Sequence, residues 1–68
     1  MRDSSIIRDI QYSNASKELY VQMEYPMNHP WYVYSNVPDN VAQEFKRAPS
    51  LGVYFNLNIK PNYQSRKV

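Results

Sequence analysis

Glu18-Leu19-Tyr20-Val21-Gln22-Met23-Glu24-Tyr25 alternates without a break: Leu19, Val21, Met23 and Tyr25 fall on one side, Glu18, Tyr20, Gln22 and Glu24 on the other. A period of two is that of a β-strand with one face turned to a core. Upstream, Ile6, Arg8, Ile10 and Tyr12 share one period-2 face and Ile7, Asp9 and Gln11 the other. Arg8 is a flaw in that apolar face, but the β-branched residues still favour strand. Ser13-Asn14-Ala15-Ser16 between the two runs is a turn cluster, so they pair as a hairpin, with the first strand at a sheet edge. Downstream, Pro26-Met27-Asn28-His29-Pro30 reads as a loop and Trp31-Tyr32-Val33-Tyr34 as a third strand.

The expected fold is therefore α+β: a three-stranded antiparallel meander covered by one or two C-terminal helices. Val37-Pro38-Asp39-Asn40 is a helix entry, with Asp39 read as its capping acid. Val41, Phe45 and Ala48 form a helical stripe ended by Pro49. The next segment fits two descriptions. Ser50 is a good N-cap, and Leu51, Phe55 and Ile59 recur at helical spacing. Val53, Phe55, Leu57 and Ile59 also alternate as a strand would, and Pro61 would end either element. Residues 1–68 make a single domain, with its core over about residues 4–63 and a polar, basic tail over 64–68 expected to fray.

A chain of 68 residues builds one thin core, and with no cysteine it has neither disulfides nor thiolate metal sites. The fold must rest on packing, for which 43% hydrophobic and 15% aromatic residues suffice. Enzyme chemistry is not expected. The one histidine, His29, sits in a predicted turn, the one glycine, Gly52, cannot build a phosphate-cradling loop, and the carboxylates are scattered. No catalytic residue, cofactor or metal is assigned. No secretory signal or apolar span is visible, so the expected location is cytoplasmic, away from membranes. Charge is divided unevenly: residues 1–45 hold all six acids and three bases, net −3, whereas residues 46–68 hold five bases and no acid, net +5. Such asymmetry points to an anionic partner, with a solvated basic tail as the plainer explanation.

Several short patterns, in order, resemble the KTSC domain. They are Ser4-Ser5-x-Ile7, Ile10-x-Tyr12, Leu19-x-Val21, Tyr32-x-Tyr34, Val37-Pro38, Phe45-x-x-Ala48, Ser50-x-Gly52-x-Tyr54-Phe55-Asn56, Ile59 and Tyr63. That family is a short module found alone in bacteria and their phages and at the C-terminus of some lysyl-tRNA synthetases. The resemblance implies helix over 50–60 and, through the tRNA-charging enzymes, RNA binding. Two departures stand out. Pro61 replaces a basic or flexible residue, and Pro26-Met27-Asn28-His29 replaces a tighter, glycine-containing turn.

Two functions are carried forward. In the first, the domain binds nucleic acid, RNA foremost, by stacking bases on tyrosines beside a positive groove. Tyr32 and Tyr34 share a face of the third strand, Tyr20 of the second can join them, and Lys46, Arg47, Lys60, Arg66 and Lys67 supply phosphate contacts. The same tyrosines could instead be covered by the helices, with Trp31 and Val33 outward. In the second, the domain is a protein-interaction module such as a phage-encoded inhibitor of a host factor. Trp31, Tyr32, Tyr34 and Tyr54 would anchor it, and its basic face would meet an acidic surface. Monomer or weak homodimer are both compatible with the exposed edge of the first strand.

Overall fold

The computed structural model describes residues 6–25 and 27–68. Ser4-Ser5 of the family pattern and Pro26 of the second loop lie outside the described residues. The chain runs β1 (Ile7–Ser13), β2 (Glu18–Met23), β3 (Trp31–Tyr34), α1 (Asp39–Arg47), α2 (Leu51–Tyr54), a π-helical segment (Phe55–Ile59) continuing α2, and β4 (Ser65–Lys67). The architecture is α+β, with a four-stranded antiparallel sheet in the order β1-β2-β3-β4 and the helices between β3 and β4. No described helix is long and apolar enough to cross a membrane.

The fourth strand corrects the three-stranded meander. Residues 65–67 do not fray: Ser65, Arg66 and Lys67 lie opposite Tyr34, Val33 and Tyr32. The Val68 and Ser35 amides extend the pairing by donating to the carbonyls of Trp31 and Gln64. A three-residue polar strand has no hydrophobic period to betray it. It forms because β3 would otherwise present an unpaired ladder edge.

The flaw at Arg8 is resolved by a β-bulge. Ile7 pairs with Met23 and Asp9 with Gln22, so the register shifts across Arg8. The extra residue turns Ile7 into the core beside the face of Ile10 and Tyr12, correcting its placement opposite them. Arg8 stays exposed and meets Glu24 at 3.6 Å.

Leu19, Val21, Val37, Ala42, Phe45, Phe55 and Ile59 form the centre of the core. Ala42 and Phe45 are the buried residues of α1, whereas Val41 and Ala48 of the expected stripe are half-buried. Pro38 occupies the N-cap without a side-chain hydrogen bond, and Asp39 sits in the first turn, where it meets the helix dipole and does not cap. Ser50 does cap, its side chain accepting from the Val53 amide. The ambiguous segment is helical: Phe55 and Ile59 are buried and Leu51 packs against the core, while Val53 and Leu57 face out. The π-helical segment ends at Ile59, two residues before Pro61. In the loop between β2 and β3 His29 takes a positive φ of 50°, a conformation in which glycine would be unstrained.

Two connections lock the layers. Tyr12 donates its hydroxyl to the Val37 carbonyl at 2.6 Å, and the Val37 amide donates to the Lys17 carbonyl. The β1–β2 hairpin is thereby tied to the chain entering α1. In the helical layer, Phe45 stacks on both Tyr54 and Phe55, and Phe55 meets Tyr34 edge-on with ring centroids 5.6 Å apart.

A candidate aromatic cleft

Pairing assigns each side chain of the sheet to a face, because directly opposed residues project together. The helix-covered face carries Ile10, Tyr12, Leu19, Val21, Tyr32, Tyr34, Ser65 and Lys67. The other carries Gln11, Tyr20, Gln22, Trp31, Val33 and Arg66. Tyr20 is thus opposite Val33 and cannot join Tyr32 and Tyr34 on one stacking surface, which corrects that grouping. Its hydroxyl donates to Glu18, which also meets Arg66 at 3.7 Å. That cluster lies over the strand carrying Val33, which has no exposed surface at all. Tyr34 is 5% exposed and belongs to the core.

The helical layer leaves one end of this covered face open. A cleft of about 310 Å³ is lined there by Met23, Tyr25, Tyr32, Tyr34, Phe55, Lys60 and Ser65. Tyr25, 66% exposed, and the half-buried Tyr32 offer ring surface, with Tyr34 and Phe55 deeper. Burial raises the pKa of the Tyr34 phenol, partly offset by a hydrogen bond with the Ser65 side chain, so that phenol stays neutral at physiological pH.

The π-helical segment builds the positive end of the cleft. Phe55 and Lys60 are five residues apart, which on an α-helix would set them about 140° apart around the axis. The Lys60 amide instead donates to the Phe55 carbonyl at 2.9 Å, closing the wider π turn and bringing both onto the cleft. Lys67, opposite Tyr32, projects from the same face of the sheet. Three of the eight residues singled out from the sequence line this cleft, Tyr32, Tyr34 and Lys60, while Lys67 projects from the same face without lining it. Lys46 and Arg47 lie in the last turn of α1, and Arg66 and Tyr20 are on the far face. Sequence reasoning missed Met23, Tyr25, Phe55 and Ser65 as cleft residues. The alternation through Tyr25 marked its side of the sheet, but nothing in the sequence signals a π turn.

A small α+β domain with an aromatic cleft at one end of its sheet is the class that fold and site define. The KTSC domain matches residues 3–63, and the chain belongs to that family. The crystal structure of a KTSC domain protein from Yersinia pestis is similar over 96% of this chain and 87% of that one, with 32% identity and a TM-score of 0.88. No curated protein matches the chain.

Proposed function

We propose that this domain is a non-catalytic binding module that holds an unpaired base of a single-stranded nucleic acid, RNA foremost, in the cleft between β3 and the π-helical segment. The observation that carries this reading is the meeting of Tyr25, Tyr32 and Lys60 on one pocket. Unpaired bases are recognised by stacking on aromatic rings, with cations taking the flanking phosphates. A pocket of about 310 Å³ stands at the small end of ligand sites, which run from about 300 to 1,000 Å³, so it suits one planar ring system. Tyr25 and Tyr32 are the stacking rings, Lys60 and Lys67 the phosphate contacts, and Tyr34 with Phe55 the floor. The basic residues elsewhere are spectators to this site. The attachment of related domains to tRNA-charging enzymes agrees with RNA as the ligand.

Anisotropy of a labelled mixed-sequence single-stranded RNA, at low and at physiological salt, tests the reading. Trp31 lies on the opposite face of the sheet and is a poor reporter, so the label belongs on the RNA. Tyr32→Ala is expected to weaken binding by about 1–3 kcal/mol, the worth of one stacked base. Tyr20→Ala should leave it nearly unchanged. No salt-sensitive binding at low salt, or equal losses in the two variants, would refute it.

A further inference from the structure

The helix made by α2 and the π-helical segment that continues it is apolar on two sides. Phe55 and Ile59 face the core, yet Val53 and Leu57, one turn apart, are 45% and 67% exposed on the outer side. They line a second, shallow groove of about 300 Å³ with Ala48, Pro49, Ser50, Tyr54 and Asn58, and its exposed surface is mostly apolar. These outward residues made the segment read equally well as a strand, and the fold does not use them. Two apolar side chains left open side by side in a groove are surface available for a partner to cover.

The charge around the groove identifies what covers it. Lys46 and Arg47, both exposed, immediately precede Ala48 at the end of α1. From residue 46 to residue 68 no side chain carries a carboxylate. One carboxylate, Glu44, stands beside the groove, accepting from the Tyr54 hydroxyl at 3.2 Å, and Lys46 and Arg47 outweigh its charge. A second copy of this chain, docked face to face about a two-fold axis, would set one basic rim against the other, which disfavours self-association here. An acidic rim around an apolar anchor is complementary in both respects.

We infer that the groove between the α1–α2 turn and the outer face of α2 docks an acidic amphipathic helix of a protein partner. Its apolar side chains pack on Val53 and Leu57, and its carboxylates meet Lys46 and Arg47. This is helix-in-groove recognition, with charge setting orientation and partner choice. The surface lies across α2 from the aromatic cleft, to which Phe55 and Lys60 belong, so the two sites act separately.

The test uses two labelled peptides of about four helical turns that share an i, i+3, i+4, i+7 leucine stripe. One carries glutamate at its remaining positions and the other lysine. Anisotropy titration of the full chain is expected to favour the glutamate peptide at least about tenfold. Leu57→Ser and the double variant Lys46→Ala/Arg47→Ala, all at exposed positions that leave the core intact, should each weaken that peptide several-fold. Tyr32→Ala should not. Equal binding of the two peptides, or a glutamate peptide indifferent to Leu57→Ser, overturns the inference. So does a monomer–dimer equilibrium abolished by Leu57→Ser, which would put a second copy on this face.

Discussion

Tyr32 lies directly opposite Lys67 across the β3–β4 ladder, so a phenol ring and an ammonium group project side by side from the face of the sheet that forms the cleft. The pairing joins a central strand to the last residues of the chain. It also separates the cations that can serve the cleft from those that cannot.

The first consequence concerns salt. Five phosphate contacts on a single strand would give a log–log slope of roughly −3.5, whereas Lys60 and Lys67 alone give roughly −1.4. RNA affinity measured across a salt series should follow the shallower line. Lys67→Ala should reduce the slope by roughly 0.7, and Arg66→Ala, on the other face, should leave it alone. A slope near −3.5 would mean that Lys46, Arg47 and Arg66 also reach phosphate.

Removal of residues 65–68 should be far more damaging than their polarity suggests. It strips β3 of its outer partner and uncovers Val33, whose burial alone is worth about 1.5–3 kcal/mol. A domain of this size has only about 3–5 kcal/mol in hand. The truncated chain is expected to lose at least about half its stability in urea denaturation. Arg66→Ala, which breaks only an exposed pair with Glu18, should cost no more than about 1 kcal/mol.

Tyr34 and Tyr32 should separate structure from binding. Tyr34→Ala removes a ring wedged against Phe55 in the core and is expected to cost about 3–5 kcal/mol, enough to unfold much of the protein. Tyr32→Ala, at a half-buried ring on the margin of the core, should lower the thermal midpoint by clearly less than Tyr34→Ala does and weaken RNA binding. Loss of both properties in both variants would place Tyr32 in the core as well.

Stability should decline in alkali. Tyr34 and Tyr54 are raised above the ordinary value of 10.0 chiefly by desolvation, Tyr12 by desolvation and then by Asp39, and Tyr20 by its hydrogen bond to Glu18 and that carboxylate's charge. A phenol with a raised folded pKa stays protonated in the folded state where the unfolded chain has released its proton. The stabilisation is therefore full below pH 10 and is lost as pH rises through the folded values. Denaturation midpoints should be level from neutral pH to about 9 and fall steadily above 10. Tyr34→Phe should lessen the fall, since the most buried phenol contributes most.

Much of this domain is legible in the order of its residues. The unbroken alternation over 18–25 and the run Trp31–Tyr34 define β2 and β3, because a half-buried strand must repeat every two residues. Ser50, with its hydroxyl aimed at the Val53 amide, marks the start of α2. The basic character of everything after Phe45 is a matter of composition and needs no fold to read. Tertiary structure alone decided the rest. Which face of the sheet was covered could not be read from strands bearing tyrosines or tryptophan on both sides, and the register Leu19 opposite Tyr34 answered it. The bulge at Arg8 and the pairing of Ser65–Lys67 come from long-range ladders that have no local period. The cleft depends on a π turn that carries Lys60 round to Phe55. Local sequence determines which way neighbouring side chains alternate; only packing between distant segments determines which of those sides is left open to a ligand.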